Sequence, residues 1–154
     1  MRIVIAGAGS VGRYMAAQLA GNGHDVLLVD NDAKAASRAR ADETISVMFG
    51  DACELDTLVR AKVSEADVVA AVTGDDEDNL VVSLLAKQEF GVPRVVARVN
   101  NPNNEWMFNE TWGVDVSVST PHLLTALVEE AVSVGSFVRI LTFEAGRTQL
   151  SEVT

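Results

Sequence analysis

Short runs of Val, Ile and Ala alternate along the chain with longer stretches in which apolar residues recur every third or fourth position. The runs predict strands at about 2–6, 26–29, 44–49, 67–72, 94–99 and 114–119. The longer stretches predict helices at about 10–21, 33–41, 54–61, 76–90, 102–112 and 121–134. Repeated strand–helix alternation implies right-handed crossovers and a parallel sheet covered on both faces. Asp67-Val68-Val69-Ala70-Ala71-Val72 is apolar on both pleat faces, as a central parallel strand must be. In the sixth run Val114, Val116 and Val118 alternate with Asp115, Ser117 and Ser119. That pattern places the strand near a sheet edge or under a thinner cover. The predicted fold class is α/β, a doubly wound six-stranded parallel sheet.

The punctuation agrees with these bounds. Gly21 and Gly23 end the first helix, and Gly91 and Pro93 end the fourth. Asn101-Pro102 and Thr120-Pro121 each set a capping side chain before a proline at the first helical position. After Gly135 the pattern changes. Phe137 to Phe143 reads as a strand, Glu144-Ala145-Gly146-Arg147 as a turn and Thr148 to Val153 as a further strand. An isolated hairpin is marginal by itself. Residues 1–135 are therefore expected to form one domain. Residues 136–154 are expected to be a linker and the first strands of a small C-terminal domain that continues beyond Thr154.

Composition narrows the function classes. Twelve basic residues against 22 acidic ones give a net charge of −10. Such a surface repels phosphate backbones and anionic lipid, so no nucleic-acid partner is expected. Cys53 is the one cysteine, which excludes an internal disulfide and fits a reducing, cytoplasmic compartment. The opening Met1-Arg2-Ile3-Val4-Ile5-Ala6 lacks the layout of a signal peptide.

Gly7-Ala8-Gly9-Ser10-Val11-Gly12 follows the first strand directly and opens a helix. This is the G-x-G-x-x-G loop in the setting it requires. The first glycine makes the tight turn, the second lets the backbone approach a pyrophosphate, and the third lets helix pack on strand. The sheet is thus expected to be Rossmann-like. Asp30 closes the second strand, where an acid accepts from both ribose hydroxyls and repels a 2′-phosphate. The expected ligand is an adenosine nucleotide and not NADP. Asp32 reads as the cap of the second helix.

Further ligand-side positions lie at later strand ends. Gly50-Asp51-Ala52 and Thr73-Gly74-Asp75 end the third and fourth strands. Asp51 is placed either to accept from an adenine amino group or to cap the helix from about Glu54. Thr73 and Gly74 are expected to approach the ligand with backbone. The acidic run Asp75, Asp76, Glu77 and Asp78 suits a helix N-terminus, with a divalent cation as the competing reading. Arg98, late in the fifth strand, needs an anionic partner: a ligand phosphate or an internal carboxylate. Arg13 reads as a solvated helix residue, with a phosphate or a neighbouring subunit as the alternative.

No catalytic set assembles. His24 reads as a turn residue, and His122, in a helix's first turn, has no evident partner. Cys53 reads as a small packed residue. Trp106, Phe108 and Trp112 gather aromatic content into one predicted helix, where Phe108 and Trp112 share a face as core or as a subunit interface. Leu124, Leu127, Val128 and Ala131, widened by Leu123 and Val132, form an apolar stripe suited to a crossover contact with a second chain.

The series as a whole resembles one family. Its elements are Gly7-to-Gly12, Gly23-His24-Asp25, Asp30, Gly50-Asp51-Ala52, Thr73-Gly74-Asp75-Asp76-Glu77-Asp78-Asn79, Arg98-Val99-Asn100-Asn101-Pro102 and Gly113-Val114-Asp115 with Pro121. They resemble the nucleotide-binding domain of Trk/Ktr-type potassium-uptake regulatory subunits, known as the TrkA-N, KTN or RCK domain, over about residues 1–135. The resemblance implies a regulator and not an enzyme, held at the membrane through a potassium-translocating subunit. It implies homodimers assembled into rings, with NAD(H) or ATP/ADP in the cleft biasing the ring's shape. By position it implies nucleotide contacts from Gly7, Gly9, Gly12, Asp30, Asp51, Thr73 and Arg98. Members with an arginine directly after the second glycine use it near an ATP γ-phosphate; here that position is Ser10. The competing reading is the cofactor half of an NAD-dependent dehydrogenase.

Overall fold

A computed structural model describes residues 1–133 and, as strands, 137–143 and 148–153. Six strands form one parallel sheet: β1 (Arg2–Ala6), β2 (Asp25–Asp30), β3 (Ser46–Phe49), β4 (Val68–Ala71), β5 (Arg94–Val99) and β6 (Val116–Ser119). Their order is β3-β2-β1-β4-β5-β6. The chain therefore winds outward from β1 first to one side and then to the other. A crevice opens between the diverging connections above the carboxyl ends of β1 and β4. The edge position of β6 accounts for its alternating valines and serines.

Each central strand is buried on both faces. Ile3, Ile5, Val26 and Leu28 pack beneath α1 (Ser10–Gly21) and α2 (Ala33–Arg40), with Ala16 and Ala39 completing that layer. Val4, Ala6, Val69, Val95, Ala97 and Val99 point the other way. They pack against Leu58 of α3 (Leu55–Arg60) and Leu80 and Val82 of α4 (Asp76–Gln88). The strand alternation thus builds two cores, one per face, and holds the strand ends level. Backbone bonds carry that alignment into the loops: Gly7 N–H donates to Val29 O, and Gly50 N–H to Asp30 O.

Three expectations are corrected. Residues 102–112 do not form an α-helix but two 3₁₀ turns, Pro102–Met107 and Glu110–Trp112. Asn101 accepts from Asn103 N–H and Asn109 from Thr111 N–H, so asparagine side chains replace the α-helical ladder twice. Phe108 and Trp112 consequently share no helix face: Phe108 is buried, Trp112 packs partly against the same core, and Trp106 is 75% exposed. β3 starts at Ser46 because Asp42 takes both the N–H and the hydroxyl of Thr44 and holds a turn there. The last helix, α5 (Thr120–Val132), is capped by Ser119 and not by Thr120.

α5 buries none of its residues: Leu124 is 58%, Val128 63% and Val132 80% exposed. β7 (Phe137–Phe143) and β8 (Thr148–Val153) pair antiparallel at the predicted bounds. The expected turn at 144–147 and the boundary at 135 lie outside the described residues.

Candidate functional site

The three glycines of the first loop serve different ends. Gly7 has φ +114, and a Cβ there would stand 2.9 Å from Thr73 N, so this turn abuts the β4 end. A Cβ on Gly12 would lie 1.8 Å from Gly7 O, so the third glycine lets α1 press on the loop. Gly9 faces open space, with nothing within 4 Å of a Cβ. It caps α1 without a side chain, and the first turn of that helix carries no acid. The positive end of α1 is thus aimed, uncancelled, at the space above Gly9.

Asp30 braces this loop. One carboxylate oxygen accepts from Ala8 N–H at 2.7 Å and the other from Asp32 N–H at 2.7 Å. Each oxygen keeps a lone pair for a ribose hydroxyl. Asp32 caps α2 through Lys34 N–H, as predicted. Asp51 accepts from Cys53 N–H in a turn ahead of α3, and Glu54 holds the cap position instead.

These groups surround a cleft of about 490 Å³. Of the predicted contacts, Gly7, Gly9, Ser10, Val11, Asp30, Asp51, Ala52, Thr73, Gly74 and Arg98 line it. Ala8 and Gly12 do not: Ala8 is buried with its N–H given to Asp30, and Gly12 is buried against the loop. Arg98 reaches the cleft from the end of β5, and its buried Nε has no hydrogen-bond partner. No carboxylate among the described residues stands within ion-pair reach of it. The internal-carboxylate alternative therefore has no support in the geometry. Arg13 does not line the cleft; its Nε donates to Gly9 O at 3.4 Å.

Sequence reasoning missed the polar joint beneath the cleft. Asn79 is fully buried. Its amide donates to Thr73 O at 3.1 Å and Arg98 O at 2.9 Å, and its oxygen accepts from Thr73 N–H and Thr73 Oγ1. The N–H of Thr73 is therefore engaged inside the protein, and the expected backbone approach falls to Gly74, beside which space is open. Asp76, also buried, accepts from the N–H groups of Asn100 and Asn101 and from the amides of Asn100 and Asn104. Burial alone raises such a carboxyl, but these donors outweigh it and hold its pKa below the ordinary value. The acidic run is thus divided: Asp75 caps α4 through Asp78 N–H, and Asp76 fastens the loop after β5. Among the described residues no three His, Cys, Asp or Glu side chains are grouped to hold a metal ion. The available signal was an asparagine at an inward helical position, where its propensity is poor.

One further side chain differs from expectation and one agrees with its reading as a small packed residue. His122 does have a partner, Glu105, which joins the base of α5 to the 3₁₀ turn after β5. Cys53 sits against Asp78 O, and burial, then the charges of Asp78 and Asp51, push its thiol up to about 12. In native protein at about pH 8, alkylation of Cys53 by iodoacetamide is expected to run at least about tenfold slower than in unfolded protein. Intact-mass time courses check this.

The TrkA-N domain family model matches residues 3–120. The Trk system potassium uptake protein TrkA of Mycobacterium tuberculosis is 51% identical over 154 residues, covering 100% of this chain and 70% of that protein. Among solved structures, the TrkA-N domain of inner membrane protein ybaL from Escherichia coli superposes with a TM-score of 0.76 at 12% identity, covering 86% of this chain and 96% of that one. The structure of GsuK bound to ADP superposes with a TM-score of 0.70 at 27% identity, covering 84% of this chain and 34% of that one.

Proposed function

The chain belongs to the TrkA-N domain family, and from that membership we propose that it is the nucleotide-sensing part of a regulator of potassium uptake. The ligand is an adenosine nucleotide without a 2′-phosphate, NAD(H) or ATP/ADP, seated over Gly9. The observation that carries this reading is Arg98. A guanidinium whose buried Nε lacks a partner faces the same cleft as an unshielded helix N-terminus and a ribose-competent carboxylate. Phosphate satisfies the first two, and ribose the third. The Mycobacterium relative is named for potassium uptake, and the GsuK structure holds ADP; both support this assignment.

The partners follow from the same reading. A second copy covers the exposed stripe of α5, giving a dimer or a larger ring. A potassium-translocating membrane subunit holds that assembly at the cytoplasmic face. No helix among the described residues is long and apolar enough to cross a membrane. Residues 1–135 are the nucleotide domain, and 136–154 open a small C-terminal domain. The ligand acts as a regulator by binding two states of the assembly with different affinity, and it shifts them by that difference alone.

The test is titration of the purified chain and of Asp30→Ala and Arg98→Ala by calorimetry. Each substitution removes charge-assisted hydrogen bonds, so affinity for ADP is expected to fall about tenfold to a hundredfold. Circular dichroism should show both variants folded. Isotherms for both variants that match the parent chain would refute the site.

A further inference from the structure

α5 carries the apolar stripe assigned above to a second copy, yet it buries none of its residues and rests lightly on its own domain. Its first turn is held at two points. Ser119, at the end of β6, caps it through His122 N–H, and the His122 ring pairs with Glu105. Among the described residues that pair is the one tie between side chains that joins α5 to another element. Glu105 lies in the 3₁₀ turn Pro102–Met107, which continues the loop leaving Arg98 at the cleft.

The loop between Arg98 and Glu105 is fastened at each stage. Asn79 holds Arg98 O, and the Asn100 amide donates to Thr73 O. Asp76 accepts from the N–H groups of Asn100 and Asn101 and from the amide of Asn104. Asn101 then caps the turn through Asn103 N–H. So fully satisfied a polar network is stiff. Residues 98–105 thus form a strut with a cleft arginine at one end and Glu105 at the other. The last joint is of a different kind. The side chains of His122 and Glu105 are 58% and 36% exposed, and a pair so exposed holds weakly enough to open under a small displacement.

We propose that Glu105 and His122 form the clasp through which an occupied cleft changes the seat of α5, and with it the association of chains. This rests on the nucleotide reading and the α5 contact proposed above, and adds the connection between them. Phosphate drawn to Arg98 displaces the end of β5, and the strut carries the displacement to Glu105. The pair is closed in one seat of α5 and open in the other. Ligand and second copy then bias the same joint, so each changes the affinity for the other by one shared factor. A joint this weak limits that factor to about threefold to fivefold. His122 lies about 140° to 240° round the helix from Leu124, Leu127 and Val128, so its loss leaves the contact stripe intact.

The experiment measures self-association of the full chain by sedimentation, without ligand and with saturating ADP or NAD⁺, with calorimetric affinities beside it. Ligand is expected to change the parent's association constant about threefold to fivefold. In His122→Ala and in Glu105→Ala the change should fall below about 1.5-fold, and the double variant should match either single one. Nucleotide affinity, and association without ligand, should stay within about twofold of the parent in all three. A ligand effect that persists in both single variants, or a parent whose association ignores ligand, overturns the clasp and leaves nucleotide binding intact. Loss of association itself in the variants overturns it too, because the pair then only builds the interface. Absence of binding by both nucleotides overturns the nucleotide reading and the clasp together.

Discussion

Gly12→Ala is expected to destabilise the chain by about 4 kcal/mol or more, a large share of a domain's ordinary margin. The added Cβ would sit 1.8 Å from Gly7 O, which is backbone and cannot rotate away. Either α1 or the phosphate loop must shift, and both are pinned, the loop by Asp30 and Val29. Gly9→Ala is the contrasting case. Its backbone, φ −69 and ψ −172, suits any residue, and nothing lies within 4 Å of a Cβ. Stability should change by no more than about 0.5 kcal/mol. The methyl group nevertheless occupies the ground a pyrophosphate needs, so nucleotide affinity should fall by about a hundredfold or more. Urea unfolding and calorimetry on the two variants separate a glycine that builds the loop from one that leaves room above it. Equal stability for both would contradict this division.

Asp76→Asn should cost about 3 kcal/mol at neutral pH, because one amide oxygen replaces a carboxylate that takes four donors and the new NH₂ faces N–H groups. The pH dependence has a defined sign. The folded-state pKa of Asp76 lies below its unfolded value, so its contribution is complete above the ordinary carboxylate range. It is lost as pH falls through the folded pKa. The stability gap between parent and variant should therefore hold from neutrality to about pH 4 and narrow below it. Urea midpoints across that range give the measurement. A gap that ignores acid would mean Asp76 holds its loop as a neutral group.

The six strands were legible because each is a short apolar run, and Val4 with Ile5 shows how neighbouring positions feed opposite cores. The first strand, the glycine loop and the place of Asp30 at the cleft were legible because a tight turn, close helix packing and a strand end beside that loop each demand a residue type at a fixed place. Arg98 was conspicuous as a base in a buried strand. The 3₁₀ turns at 102–112 were not legible. The i, i+4 spacing of Phe108 and Trp112 imitates a helix, and competition from the Asn101 and Asn109 side chains breaks it. Asn79 and Asp76 escaped notice for another reason. Asp76 reads as one more acid of a helix N-terminus, and the burial of both depends on the loop after β5 folding over them. The partner of His122 comes likewise from a distant loop, which local spacing does not reveal.

The central claim is that this cleft binds an adenosine nucleotide and that binding is sensed by an assembly of chains. Calorimetric titration with NAD⁺, NADH, AMP, ADP and ATP, with solution mass recorded before and after saturation, tests it most directly. The account predicts saturable binding of at least one of them, by a dimer or larger species, weakened by Asp30→Ala. A folded monomer that gives no heat with any of the five would contradict it.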